Sequence, residues 1–157
     1  MTTIFSISSV LVMPFWFLII ILPHWRWTRR IIQSPLVIAA AALLYAALVL
    51  PRIGQVLPAV LNPTLPGIAA LLGSPAGATI AWAHFLAFDL FVGRWIYLDS
   101  REMGISAWLM APILFFVLML GPIGFLLYMI CRGAYTFLQY RRKQPAATVP
   151  ETLQSHS

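Results

Sequence analysis

The sequence predicts an all-α fold, namely a polytopic membrane protein with four transmembrane helices packed in a small bundle. Its 157 residues are 61% hydrophobic and only 9% charged, whereas soluble domains are about 45–50% apolar and about 25% charged. In addition, four apolar segments reach the roughly 17–25 residues that a helix needs to cross a bilayer. These segments are Ile4–Leu22, Ile31–Leu50, Thr79–Leu98 and Ala107–Ile130.

The first segment is expected to remain in the mature protein as a helix. It lacks the basic start of a signal peptide, its apolar run is too long for one, and no small-residue cleavage site follows it. The next stretch is predicted to be a loop, Pro23–Gln33, in which tryptophans lie between arginines, a combination typical of the membrane–water interface. We therefore expect this stretch to anchor the protein at the bilayer surface.

The segment between the second and third predicted helices is apolar but rich in proline. Proline removes a backbone donor and interrupts helices, and interrupted backbone is not tolerated in contact with lipid. Residues 51–78 are therefore predicted to form an interfacial loop that lies flat on the membrane, with one or two helical turns over Leu65–Leu72. Its prolines are Pro51, Pro58, Pro63, Pro66 and Pro75.

The distribution of charge leaves the orientation of the protein open. With four spans, the basic residues divide almost equally between the two sides of the membrane, so the positive-inside rule does not choose between them. A fifth span over residues 56–73 would instead gather the loop arginines and the basic tail on one side. We favour four spans because a proline inside a helix costs about 3 kcal/mol. Residues 1–143 then form a single transmembrane domain, and residues 144–157 are predicted to be a disordered tail.

Several functional classes are disfavoured by the composition. The net charge of +6 suggests nucleic acid, but the basic residues lie at helix ends, where they anchor a membrane protein. Cys131 is the only cysteine, which excludes an intramolecular disulfide. No pattern typical of a nucleotide-binding loop, a zinc site, a haem attachment or a serine nucleophile is present. We therefore expect no metal, no cofactor and no nucleic-acid partner.

Ionisable residues interrupt the third predicted span, although charged groups in hydrocarbon are costly and mark functional sites. His84, Asp89, Arg94 and Asp99 are five residues apart. On a helix each step of five turns about 140° and rises about 7.5 Å. These side chains are therefore predicted to point in different directions and to form no site among themselves, so that partners must come from other helices.

Two faces of this span are candidate sites. His84 shares a stripe with Phe88, Phe91 and Trp95, which suits a flat conjugated ligand or, alternatively, ordinary aromatic packing between helices. Asp89 lies at mid-span, where it is either protonated or ionised against an arginine. Both states suit acid–base chemistry, and the alternative is an interhelical hydrogen bond.

The remaining notable residues of this span and its end are expected to pack against other helices or to lie at the membrane surface. Gly93, one turn from Asp89, allows close approach of another helix or a ligand. Arg94 is expected to extend its charge towards the interface or to pair with an acid on another helix. Asp99, Arg101 and Glu102 are expected to form a surface charge cluster.

The run His84–Trp95 resembles the core motif of the abscisic-acid-deficient-four family, the neoxanthin-synthase-like membrane proteins of plants, algae, cyanobacteria and other bacteria. Further matching pieces follow the same order over roughly residues 10–130. These pieces are Pro14–Trp16, Leu22–Arg30, Asn62–Leu65 and Gly121–Tyr128.

This resemblance implies a role in xanthophyll metabolism in a bacterial plasma membrane or a thylakoid-type membrane. In plants the family is linked to converting violaxanthin to neoxanthin, an isomerisation in which an epoxide opens and an allene forms. Such a reaction needs an acid at the epoxide oxygen and a base at the adjacent polyene carbon. The hypothesis assigns Asp89 as the acid, His84 as the base or orienting group, and Arg94 as the group that stabilises charge.

Two other functions stay open at this point. One is a non-enzymatic carotenoid-binding subunit of a photosynthetic or carotenoid-synthesising complex, with Phe88, Phe91, Gly93 and Trp95 holding the pigment. The other is a small transporter with Asp89 as a proton relay. For the enzyme and the pigment-binding subunit, the expected partners are membrane lipid and a carotenoid.

Overall fold

The computed structural model describes residues 2–143, and these residues form eight α-helices, one 3-10 turn and no strand. The all-α prediction is therefore confirmed, while the predicted tail of residues 144–157 lies outside the described part of the chain. The helices are α1 Thr2–Ile21, α2 Arg26–Gln33, α3 Leu36–Val49, α4 Ile53–Leu61, α5 Leu65–Gly73, α6 Pro75–Glu102, α7 Ala107–Leu120 and α8 Pro122–Lys143.

Three stretches of helix are long and apolar enough to cross a membrane. They are Thr2–Ile21, the run Leu36–Leu61 that joins α3 to α4, and Pro75–Glu102. Helix α7 is apolar too but has only 14 residues, which is about 21 Å of helix against a hydrocarbon core of about 30 Å. Where the sequence predicts one crossing helix over residues 107–130, the structure has two helices, so a fourth crossing is not confirmed.

Helix α6 lies at the centre of the bundle, and α1 runs parallel to it. Near the start of both helices the rings of Phe5 and Trp82 stack with centroids 5.3 Å apart. Further along, the buried ring of Trp16 lies against Gly93. Just past the end of α1, the carbonyl of Pro23 accepts a hydrogen bond from the Tyr97 hydroxyl at 2.9 Å.

Helix α3 packs against α6 in the opposite direction. Tyr45 lies beside His84, with ring centroids 5.2 Å apart. Leu48, one turn later in α3, shares a buried cluster with Ile80, one turn earlier in α6. The end of α3 and the start of α6 therefore lie at one end of the bundle, and α2 lies at the other.

The proline-rich segment is largely helical, where the sequence analysis expects a loop. Two helices begin where a side chain caps them: Thr64 accepts a hydrogen bond from the Gly67 amide at the start of α5, and Ser74 accepts one from the Gly77 amide at the start of α6. A proline follows in the first turn of each helix, where its missing N–H leaves no hydrogen bond unmade. Pro66 and Pro75 thus lie at helix starts, whereas Pro58 lies inside α4.

Helices α7 and α8 form a hairpin. The chain turns at Gly121, whose φ of +32° favours glycine because it has no Cβ. Directly after the turn, Gly124 packs on the backbone of Val117, which brings α8 back against α7. The turn lies beside Asp89, about halfway along α6.

After this turn, α8 runs alongside the second half of α6. Trp95 contacts Phe125 with ring centroids 5.8 Å apart, and Arg132 forms an ion pair with Asp99. Tyr135 then donates a hydrogen bond to the carbonyl of Gly104, in the connection that leads into α7. The hairpin therefore begins and ends at the same end of the bundle.

Candidate functional site

A cavity of about 420 Å³ lies where the α7–α8 turn meets α6. Asp89 and His84 both line it, and they are its only ionisable residues among those described. The rest of the wall is almost entirely apolar. It consists of Trp82, Phe85, Leu86, Phe88, Leu118, Met119, Leu120, Gly121 and Pro122.

Asp89 is a half-buried carboxyl group without a protein partner in the described part of the chain. It lies directly against the turn, because a Cβ placed on Gly121 would be 2.5 Å from Asp89 Oδ1. Neither the interhelical hydrogen bond nor the arginine partner considered from the sequence is present among residues 2–143. An unpaired carboxyl in apolar surroundings is costly, which makes Asp89 a candidate functional residue.

His84 lies at the junction of three cavities. Its ring packs against Phe88, with centroids 4.6 Å apart, and against Tyr45. Besides the cavity shared with Asp89, it lines one of about 220 Å³ between α3 and α6 and one of about 350 Å³ towards α4 and α5. No hydrogen bond holds its ring nitrogens among the described residues.

His84 and Asp89 share a cavity although they are five residues apart on α6. The two side chains do leave α6 in different directions, as helical geometry requires. The cavity nevertheless reaches both, because it follows the surface of α6 past Phe85 and Phe88, which lie between them. The expectation that the ionisable groups of this helix form no site among themselves is therefore corrected for this pair.

The predicted aromatic stripe divides into two parts. Phe88 and Phe91 line the 220 Å³ cavity together with His84, and they are 58% and 52% exposed, so both face outward from the bundle. Trp95 contacts Phe125 and Tyr128 of α8 instead. It does not line the cavities at His84.

Gly93 and Arg94 are also placed away from these cavities. The Trp16 ring of α1 covers Gly93, so the close approach at this glycine is that of another helix. Arg94 donates hydrogen bonds from Nε to the carbonyl of Ile32 at 2.6 Å and from Nη2 to that of Gln33 at 2.7 Å. Because helix C-termini present unpaired carbonyls and attract cations, Arg94 caps α2 and is not brought to Asp89.

Asp99 is part of an inter-helix cluster, whereas the sequence analysis expects a surface group. Its carboxylate accepts a hydrogen bond from the fully buried hydroxyl of Tyr128. It also forms an ion pair with Arg132, with Nε 2.8 Å from Oδ2. This cluster fastens α8 to α6 and lies away from the cavity of Asp89. Arg101 likewise turns inward, donating to the carbonyl of Ile105.

Sequence reasoning did not assign a role to two components of the site. Tyr45 lines two of the three cavities beside His84, and it is one of the few polar residues of the second predicted span. Gly121 forms the wall against Asp89. Its pairing with Pro122 was a usable signal, because glycine followed by proline ends one helix and begins another.

This arrangement is suited to proton transfer to an apolar ligand. A carboxyl and an imidazole face one cavity, neither forms a hydrogen bond or an ion pair with the described residues, and electrostatic interactions are strong in such surroundings. In residues 2–143, His, Cys, Asp and Glu side chains do not gather in groups of three or more that hold a metal ion.

Comparison with known proteins identifies the family. A family model described as ABA DEFICIENT 4-like matches residues 3–128. The protein ABA DEFICIENT 4, chloroplastic, of Arabidopsis thaliana is 27% identical over 107 residues, which cover 64% of this chain and 49% of the relative. The chain thus spans about half the length of that relative, and no solved structure matches. Since the family model covers most of its length, the chain belongs to the ABA DEFICIENT 4-like family.

Proposed function

We propose that the protein acts on carotenoids and isomerises an epoxy-xanthophyll to an allenic one. The observation that carries this proposal is the Asp89 carboxyl, which faces an apolar cavity with His84 and has no partner among the described residues. Membership of the ABA DEFICIENT 4-like family supports it, since the family is linked to this conversion in plants.

The proposed reaction moves one proton in and one proton out. Protonated Asp89 donates to the epoxide oxygen as its C–O bond breaks, which leaves a hydroxyl group. His84 takes the proton from the neighbouring polyene carbon, and the electrons of that C–H bond form the new double bond of the allene. Because one proton is gained and one is lost, neither an oxidant nor a reductant is needed.

The shape of the site supports a long apolar substrate. Phe88 and Phe91 face outward beside the 220 Å³ cavity, so a polyene can reach His84 from the side of the bundle. A carotenoid dissolved in the membrane would approach in this way. The proposed location is therefore an integral, multi-pass position in a bacterial plasma membrane or a thylakoid-type membrane, with lipid around the bundle.

A second candidate is a non-enzymatic carotenoid-binding subunit of a photosynthetic or carotenoid-synthesising complex. The 220 Å³ cavity favours it, because that cavity combines exposed aromatic rings with His84 and contains no carboxyl. In this second candidate, apolar and aromatic contacts at the cavity hold part of the pigment. This candidate requires Phe88 and Phe91 but does not require Asp89.

Expression in a violaxanthin-producing bacterium, followed by chromatography of the pigments, separates these two functions. The enzyme predicts a new allenic pigment that disappears in Asp89→Asn and in His84→Ala. The control is Glu102→Gln, which makes the same carboxyl-to-amide change at an exposed position of the same helix, and it retains the product. A pigment that purifies unchanged with the protein, and with Asp89→Asn as well, supports the binding subunit. A product that Asp89→Asn still forms contradicts the proposed acid.

A further inference from the structure

The α7–α8 hairpin gathers almost all of the positive charge at one end of the molecule. Ion pairing of Arg132 with Asp99 places the middle of α8 at the end of α6. Beyond Tyr135, which bonds to Gly104, the last turns of α8 project past the bundle and carry its remaining basic residues.

Helix α2 lies at this same end. Arg94 of α6 donates hydrogen bonds to the last carbonyls of α2, and the Tyr97 hydroxyl donates one to the carbonyl of Pro23, which precedes α2. All ten Lys and Arg residues fall within residues 2–143. Of these ten, Arg52 is the exception that lies at the opposite end, where it donates to the carbonyl of Leu48. A single crossing over residues 107–130 would instead divide these charges nearly equally.

The exposed part of this basic end has the geometry of an anion site. The guanidinium carbons of Arg26 and Arg30 lie 5.6 and 5.5 Å from the ring centroid of Trp27. The three side chains line a cavity of about 320 Å³. Both arginines are exposed and neither forms an ion pair with an acid among the described residues. The neighbouring Trp25 and Trp27 are exposed as well, as is typical of side chains at the level of lipid headgroups.

We propose that Arg26, Trp27 and Arg30 bind the phosphate group of an anionic phospholipid, in the leaflet that faces the cytoplasm. Guanidinium groups bind phosphate oxygens through paired hydrogen bonds, and basic residues beside a membrane are attracted to anionic lipid. The cytoplasmic side follows from the positive-inside rule. The rule chooses a side here because the hairpin brings the basic residues of α8 to the same end as those of α2. This inference rests on the proposed membrane location but does not depend on the proposed reaction.

The test measures lipid retained by the purified full chain in nanodiscs of phosphatidylcholine with phosphatidylglycerol, by native mass spectrometry. The wild type is expected to retain phosphatidylglycerol preferentially, and the double variant Arg26→Gln/Arg30→Gln to lose that preference. Arg52→Gln removes the same type of charge at the other end and is expected to behave like the wild type. Because the two arginines of α2 are exposed, folding should survive, and the two single variants provide the same comparison if the double variant does not fold.

Each alternative outcome of the lipid experiment overturns the proposal. Equal loss in Arg52→Gln would show a general charge effect, and an unchanged double variant would exclude the site. Displacement of the lipid by inorganic phosphate would identify free phosphate as the ligand.

The orientation is tested with single cysteines in a Cys131→Ser background and an impermeant maleimide applied to inverted membrane vesicles. Gln33→Cys and Thr136→Cys are expected to react from the cytoplasmic side, and Gln55→Cys only after the vesicles are opened. If position 136 behaves like position 55, the shared basic end does not exist and the proposal fails. These readouts involve no pigment, so they are independent of the proposed isomerisation.

Discussion

The carboxyl group of Asp89 lies against Gly121, the residue at which the chain turns from α7 into α8. A Cβ at position 121 would be 2.5 Å from Asp89 Oδ1, and the φ of Gly121 is +32°. Asp89, at the middle of α6, therefore packs directly against the turn of the α7–α8 hairpin. The site depends on a tertiary contact between residues that are far apart in the sequence.

Gly121→Ala should destabilise the protein and displace Asp89. The added methyl group meets the carboxylate, and the backbone conformation is unfavourable for alanine, so we expect a loss of about 1–3 kcal/mol. Thermal unfolding in detergent measures this loss of stability. Gly133→Ala is the matched control, since it adds the same methyl group within α8 where nothing lies within 4 Å. An equal effect of the two substitutions would contradict the Asp89–Gly121 contact.

Gly93→Ala should separate α1 from α6. A Cβ there would lie 2.5 Å from Cη2 of the buried Trp16 ring, and such overpacking costs typically about 1–3 kcal/mol. The melting temperature should fall, and adding Trp16→Leu should recover part of the loss because it makes room for the methyl group. Gly54→Ala, at a glycine with no neighbour within 4 Å, serves as the control. If the two effects are simply additive, the ring does not pack on position 93.

Asp99→Asn should loosen the attachment of α8 to α6. It removes the ion pair with Arg132 and weakens the hydrogen bond that the buried Tyr128 hydroxyl donates, so the free energy of unfolding should fall. Cys131, partly buried beside Arg132, reports on this change. Its reaction with maleimide should become faster than in the wild type, while Glu102→Gln leaves the rate unchanged. Identical rates in all three proteins would show that the cluster does not hold the helices together.

Arg94→Gln should lower stability through α2. The substitution removes two hydrogen bonds from a charged donor to the carbonyls of Ile32 and Gln33, for which we expect a loss of about 1–3 kcal/mol. Thermal unfolding is compared with that of Arg29→Gln, an exposed arginine on α2 itself. If Arg29→Gln is as destabilising as Arg94→Gln, Arg94 does not act as the cap of α2.

The sequence by itself determined the helical class and the existence of the first three apolar helices. The second of them begins at Leu36, where the sequence predicts Ile31, and its apolar run continues to Leu61. Composition is sufficient to predict helices, because hydrocarbon requires backbone hydrogen bonds to be satisfied within the segment and therefore favours helices. It also singled out α6, since His84 and Asp89 stand out in an apolar run. Helical geometry predicted correctly that these two side chains leave α6 in different directions.

The tertiary structure decided which of those side chains line one cavity and how the last apolar stretch folds back on itself. Residues 107–130 are apolar on both sides of Gly121, so composition alone does not divide them. The Gly121–Pro122 pair signals a helix boundary, but only packing shows that α8 turns back along α7. The return of α8 to α6 depends on Asp99, Tyr128 and Arg132, which are brought together by packing across 29 to 33 positions. The same packing sets Asp89 and His84 on one cavity and removes Arg94 from it, because a periodic pattern gives the direction of a side chain but not what lies opposite.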